Sequence, residues 1–343
     1  MILENLRLVN FRNYPDKVFR PNDSLEMIIG PNGIGKTNIL EAIHLICGGS
    51  SFRLRRDLEL IKKGAKWARI EANLDLDGRK EKRILKLSLN DEGRISKKLE
   101  IDDTNRIASK HLLPVVVFEP DQMRIVTEGP DLRRSYLDER ISFLDFEYSK
   151  NIADYKRVIS QRNKLLKLIK RNEAKKEDLF IWHVKLSELA APIVLARRRY
   201  LKELNEKLQN DYRKISKKKD LVSLEYLPSF EKESSAKLSS ELFNKLEADI
   251  EVDIHAGFTR RGPHRDDWEI KLNGQSASTG ASRGEIRTIV LSLKLYEFEH
   301  LRDSFGITPL ILLDDVMSEL DSTRRQELLA FFKDAQVIMS GVE

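Results

Sequence analysis

Apolar and polar residues alternate over the first ten positions, with Ile2, Leu3, Leu6, Leu8 and Val9 among polar neighbours, and predict an edge strand. Phe11-Arg12-Asn13-Tyr14-Pro15 reads as a turn, and Leu25-Glu26-Met27-Ile28-Ile29 predicts a short buried strand. From Thr37 to Cys47 the spacing becomes helical, with Leu40, Ile43 and Cys47 on one face. Alternation returns over residues 69–76 and 84–89, joined by the turn pair Asp77-Gly78. Pro114-Val115-Val116-Val117-Phe118 is a continuous apolar run, the pattern of a strand covered on both faces.

The pattern then changes. Ile152, Tyr155, Ile159, Leu166 and Ile169 fall at intervals of three, four and seven. Trp182, Leu186, Leu189, Ile193, Ala196, Tyr200, Leu204 and Leu208 continue the same stripe. These are two long amphipathic helices with narrow apolar faces, joined antiparallel by the polar turn over residues 172–177. A projecting arm accounts best for their narrowness, with an ordinary helical subdomain as the alternative. Pro192 predicts a kink or stagger in the second helix. Residues 220–250 are poorly patterned and read as a linker plus a helix from Ser240 to Ile250. A strand at 268–272, a helix over 283–302, an apolar strand at Leu310-Ile311-Leu312-Leu313 and a helix over 322–333 complete the chain. The fold class is therefore α/β.

Composition adds three constraints. With 343 residues, 41% apolar and 34% charged, the chain suits two or three globular domains with long solvated helices. The net charge of +6 is compatible with a nucleic-acid partner. The single cysteine, Cys47, excludes an internal disulfide and fits a cytoplasmic setting as a small core residue. The N-terminus lacks the basic start and apolar stretch of a signal peptide, and no apolar run is long enough to span a membrane.

One stretch carries chemistry on its own. Gly30-Pro31-Asn32-Gly33-Ile34-Gly35-Lys36-Thr37 is a phosphate-binding loop in its required context of strand, loop and helix. Its glycines let backbone N–H groups converge on a phosphate, and the helix N-terminus adds partial positive charge. Lys36 would reach the β- and γ-phosphates of ATP, and the Thr37 hydroxyl would ligate Mg²⁺. The strand at 310–313 ends in Asp314-Asp315. Asp314 would hold the metal, and Asp315 could position or deprotonate the attacking water. Upstream, Ala281-Ser282-Arg283-Gly284-Glu285 precedes a helix. Either Ser282 merely caps that helix, or it forms a second anion-binding corner, which would imply a composite site closed by another copy of the chain.

The phosphate loop, the Ser282 segment, the Asp-Asp strand end and Ser318-Glu319-Leu320-Asp321 together resemble the ATP-binding-cassette heads of SMC-type DNA-maintenance ATPases. Asn10-Phe11-Arg12-Asn13-Tyr14, residues 130–138, Gly262-Pro263-His264-Arg265-Asp266-Asp267 and residues 312–321 narrow the resemblance to the RecF family of bacterial DNA replication and repair proteins, across essentially the whole chain. The resemblance implies a discontinuous ATPase head over 1–113 and 260–343, and a helical second lobe over 114–259 with a short antiparallel coiled-coil arm. It implies an ATP-driven homodimer that holds DNA at gaps and single-strand/double-strand junctions. It further implies slow, DNA-dependent hydrolysis, the partners RecO and RecR, and help in loading the RecA recombinase. Residue by residue it implies nucleotide contacts from Arg12, Asn13, Ser282, Gly284 and Asp321, and a linker-loop metal ligand at Gln122. An SMC-like chromosome-organising ATPase is the alternative; it needs a coiled coil of hundreds of residues, against about 70 here.

Glu285 stands where the family has a glutamine, and Ser340 where a histidine follows the last strand; Asp315 replaces the glutamate of most cassette ATPases, while the resemblance implies a double aspartate within the RecF family. Basic clusters at 53–56, 62–66, 133–134, 197–199 and 217–219 offer phosphate contacts without base readout. The Arg53–Arg56 cluster is the first choice for DNA, Arg133-Arg134 could equally be a structural pair, and the runs at 197–199 and 217–219 read as solvated helix faces. His264 lacks a partner at metal-ligand spacing.

Overall fold

The computed structural model describes all residues except 50, 52–56, 91–92, 107–110, 230–234, 318–319, 321 and 342–343. The chain divides into two compact units, Met1–Gln122 with Leu293–Glu343, and Met123–Ser292.

The first unit opens with β1 (Ile2–Phe11), β2 (Tyr14–Phe19), β3 (Leu25–Ile29) and α1 (Lys36–Ile46). Then come β4 (Trp67–Leu76), β5 (Arg79–Leu89), β6 (Ile95–Ile101), β7 (Thr104–Arg106) and β8 (Val115–Phe118). Asp77 and Gly78 both take positive φ, 58° and 88°, as the tight turn between β4 and β5 requires. Strands β2-β1-β4-β5-β6-β7 form one antiparallel sheet. β1 is therefore interior, with Leu3, Leu6 and Leu8 fully buried, and β2 takes the edge expected for β1. One core joins this sheet to α1, through Ile39, Leu40, Ile43 and Cys47. Burial pushes the Cys47 thiol up to about 12, leaving it a packing residue.

The second unit contains α2 (Arg124–Thr127), α3 (Pro130–Leu144), α4 (Phe146–Lys170), α5 (Phe180–Ser216), β9 (Val222–Leu227), α6 (Ser235–Ala248), α7 (Ile250–Ala256), β10 (Asp267–Leu272), β11 (Gln275–Ser276) and α8 (Ala277–Gly280). A long helix, α9 (Arg283–Phe305), starts here and ends in the first unit. α4 and α5 are antiparallel, as their stripes predict, but they do not form a bare two-helix arm. α5 also packs on α3, α6 and β9, and α4 on α3 and α7. Even the tip cluster of Leu166, Ile169 and Leu179 is covered by Ile250 and Ile254 of α7. The subdomain alternative holds, because each long helix buries more than one face. α5 runs unbroken through Pro192. A window of mean hydropathy 1.5 within Lys176–Ser216 is long and apolar enough to cross a membrane by composition, yet half of it is buried inside this unit.

Buried ion pairs, rather than a wider apolar stripe, lock these helices. Arg162 and Asp253 form a pair at 2.7 Å with no exposed side-chain surface on either. Arg197 is buried and bonds Asp138 and the Pro263 carbonyl. It is thus a core anchor and not part of a solvated face, because its helical phase points inward while Arg198 and Arg199 flank it. Arg133 forks onto Asp267 and Arg134 donates to the Asp266 carbonyl, so that pair is structural.

The chain returns to the first unit for β12 (Leu310–Asp314), α10 (Ser322–Phe331) and β13 (Val337–Gly341). A parallel sheet in the order β3-β13-β12-β8 results. Two expected boundaries move for this reason. Residues 115–118 join the first unit by pairing with β12, and residues 267–272 join the second by pairing with β9. β3 is not a fully buried strand: it sits at the sheet edge, with Leu25, Met27 and Ile29 42%, 49% and 53% exposed.

Candidate nucleotide site

β3 delivers the phosphate loop and α1 leaves it. Gly33 and Gly35 adopt φ of +84° and +113°, which side-chain-bearing residues rarely take. A Cβ on Gly35 would also lie 2.6 Å from the Tyr14 hydroxyl and 2.8 Å from Asn13 Nδ2. The loop is held from outside: Asn13 Nδ2 donates to the Ile34 carbonyl at 2.9 Å, and Asn38 Nδ2 donates to Asn13 Oδ1 at 2.9 Å.

A cleft of about 870 Å³ opens over the loop. Asn32, Gly33, Gly35, Lys36 and Thr37 line one side, and Asp314, Asp315 and Ser340 another. Arg12, Asn13, Lys62 and Lys63 complete its polar rim. Lys36 folds back over the loop, its Nζ donating to the carbonyls of Gly30 at 2.5 Å and Pro31 at 3.1 Å. Thr37 Oγ1 donates to Asp314 Oδ1 at 2.8 Å, across 277 residues of sequence. Ser340 Oγ donates to the same oxygen at 2.8 Å and accepts from the Asp315 backbone N–H at 2.9 Å. Asp315 follows the end of β12 with φ of +52°, a left-handed turn that aspartate tolerates better than most residues. Two oxygen donors therefore meet at the mouth of the loop, a hard-ligand pair suited to Mg²⁺.

Arg12 takes φ of +54° and forks onto Glu41 at 2.8 and 2.9 Å, with the Glu41 side chain fully buried. The pair ties the β1–β2 turn to α1 and so fixes the cleft's rim.

Other expected residues lie elsewhere. Ser282 and Gly284 belong to the second unit and do not line this cleft. Ser282 donates through its N–H and its hydroxyl to Glu285 Oε2, at 2.9 and 2.8 Å, and Lys218 reaches Glu285 at 3.2 Å. These contacts hold the Glu285 carboxyl below its usual range, the Ser282 N–H foremost. Gln122 does not line the cleft either; its Nε2 donates to the Val117 carbonyl at 3.0 Å, and its Oε1 is buried without a partner. Asp321 and the Arg53–Arg56 cluster lie outside the described residues. His264 is no metal ligand: Tyr155 hydrogen-bonds its Nδ1 at 2.9 Å and its Nε2 donates to the Thr259 carbonyl at 3.0 Å.

Residues 2–342 match the RecF/RecN/SMC N terminal domain family. The DNA replication and repair protein RecF of Alkaliphilus oremlandii is 34% identical over 351 residues, covering 99% of this chain and 93% of the relative. The chain belongs to the RecF family. RecF of Ruminiclostridium cellulolyticum is 35% identical over 99% of this chain and 92% of its own length. A solved structure of the recombination mediator protein RecF-ATP in the RecFOR pathway superposes with a TM-score of 0.91 at 31% identity, covering all of this chain and 92% of that one. The RecF-ATPrS structure gives 0.92. The Smc head domain of Pyrococcus furiosus, at 18% identity and a TM-score of 0.52, shares the fold.

For this RecF-family chain, sequence reasoning missed Glu41, Lys62, Lys63 and Ser340 as parts of the site. Glu41 had a signal: a carboxylate set between Leu40 and Ala42 on the apolar face of α1 needs a buried partner. Ser340 had one too, its place after the last strand where a histidine was expected.

Proposed function

We propose that this chain is an ATP-switched, DNA-holding recombination mediator. MgATP joins two copies head to head, the dimer grips DNA at a gap or single-strand/double-strand junction, and slow DNA-dependent hydrolysis releases it. RecR and RecO are its partners in the cytoplasm, and loading of RecA is the outcome. The observation that carries this reading is the Thr37–Asp314 hydrogen bond within a glycine cradle. The names of the relatives support the repair role, and the RecF-ATP structure supports the nucleotide.

Each residue has a defined task. The N–H groups of residues 33–37 and the α1 N-terminus hold phosphate oxygens. Lys36 leaves the Gly30 and Pro31 carbonyls for the β- and γ-phosphates. Thr37 Oγ1 and Asp314 Oδ1 would hold magnesium, which would supply charge neutralisation at the phosphates. Gln122 would have to turn its orphaned Oε1 toward the cleft to add a third ligand. Asp315, fixed through its N–H by Ser340, orients the attacking water and takes its proton. Ser282 and Gly284 of a second copy close on the γ-phosphate, with Asp321 linking the two sites.

Light scattering with and without MgATP and gapped DNA tests this. The wild type doubles its mass with ATP, while Ser282→Arg binds ATP and stays monomeric. A Ser282→Arg protein that still dimerises with ATP removes the composite site.

A further inference from the structure

The segment Gly262-Pro263-His264-Arg265-Asp266-Asp267 has no part in the cleft over the phosphate loop, yet it is heavily braced from within the second unit. Between α7 and β10, almost every backbone turn is held from inside. Asn163 accepts from the Thr259 N–H and hydroxyl, both at 2.8 Å, and Arg162 donates to the same hydroxyl. Asp253 accepts from the Arg260 N–H at 3.2 Å. Ser229 both accepts from the Gly262 N–H and donates to its carbonyl. Arg197 holds the Pro263 carbonyl at 2.6 Å. Asp266, fully buried, accepts from Tyr226 and the Ser229 N–H. Gly262 is at φ +126°, where a Cβ would meet the Tyr155 hydroxyl at 2.2 Å.

The outward side is different in kind. Phe258 is 42% exposed, and the Arg265 guanidinium sits 4.9 Å from its ring centroid. Arg260 and Arg265 are exposed, and so is Lys167, whose side chain runs beside Gly257. None of these three cations has a carboxylate partner among the described residues, whereas neighbouring Arg261 is paired with Asp249. Bracing of this density lowers the entropy cost of binding, and the groups it presents are an accessible aromatic ring flanked by unpaired cations.

We infer that the loop over residues 258–265 is a contact for single-stranded DNA, with Phe258 stacking on a base and Arg260, Arg265 and Lys167 meeting phosphates. A single strand is favoured over a duplex because only unpaired bases offer a free face to Phe258. Arg265 behind the ring strengthens the stack. The inference rests on the DNA-holding role proposed above and adds where one strand lies.

The test is fluorescence anisotropy on the full chain with MgATP, using labelled oligothymidylate and a duplex of equal length. Phe258→Ala weakens oligothymidylate binding about tenfold and leaves the duplex within about twofold. Arg260→Ala with Arg265→Ala weakens it by a similar factor and reduces the slope against log salt by about 1.4. All three side chains are exposed, so folding is preserved, and thermal melts verify it. Wild-type affinity in either variant, or equal loss on both DNAs in Phe258→Ala, overturns the assignment. ATP-driven mass doubling is measured on the same samples. Failure of the wild type to double defeats the clamp reading, while the affinity arms still decide the loop.

Discussion

In the cleft of the first unit, Lys36 rests on two carbonyls and Thr37 on a carboxylate; in the second unit, Arg162 and Asp253 face each other with no exposed surface on either. Both regions are rich in charge. In the cleft the polar groups have provisional partners that a phosphate or metal can replace. The braces around Arg162, Arg197 and Asp266 have partners from two or more elements and no solvent to exchange with. The same residue types thus serve opposite ends. Replaceable partners make a switch, and burial with several partners from different elements makes a frame. At the cleft, Arg12 and Asp315 are both left-handed and both line it.

Arg162→Met attacks the frame at its most buried point. It leaves Asp253 unpaired and should cost about 3–5 kcal/mol in urea unfolding. ATP affinity of the folded fraction should hold, and a parallel loss of nucleotide binding would erase the contrast.

His264 sharpens the contrast through pH. Burial pushes it down to about 4 from an ordinary 6.5. Between those values the unfolded chain takes up a proton that the folded chain refuses. The neutral ring's contribution is thus complete above about pH 6.5 and is lost as pH falls toward 4, on the order of 3 kcal/mol in all. His183, also held low by burial, acts in the same direction. Melting temperature should fall over that window and flatten in His264→Gln; a level wild-type profile contradicts the network.

Lys36→Ala addresses the switch. ATP binding should weaken about a hundredfold by calorimetry, from loss of a charge-assisted contact, with melting temperature almost unmoved.

The smallest effect belongs to Glu285→Gln. Glu285 accepts from the two Ser282 donors that the composite site assigns to the γ-phosphate. Removing its charge should lower the ATP concentration for half-maximal dimerisation by about threefold, read by light scattering. A rise would mean that the carboxylate assists closure.

The candidate cleft's meeting of residues 33–37 with Asp314 was legible because its motif is local. Residues 30–37 carry glycines where φ must be positive, and Asp314 closes an apolar run. What stayed hidden depends on distant partners. The run Arg197-Arg198-Arg199 is three equal cations in sequence, and only Asp138 and the Pro263 carbonyl make the first a core residue. β9 was missed because Val222-Ser223-Leu224-Glu225-Tyr226-Leu227 lies in a polar stretch and gains its order from pairing with β10. β1 and β3 exchanged their expected burial because edge position is set by sheet order, which alternation does not encode.

The parallel pairing of β3 with β13 sets a timetable. Met27 lies opposite Met339 in that ladder, and the Leu3 N–H is held by Gln336 at 2.7 Å. A ribosome working at roughly 5–20 residues per second needs on the order of a quarter of a minute to a minute to pass from one strand to the other. Throughout that interval the phosphate loop has emerged, but the strand beside it has not been synthesised. Residues 123–292 can complete their own contacts in the meantime. The nascent chain thus acquires its frame before its switch, and nucleotide competence waits for β13.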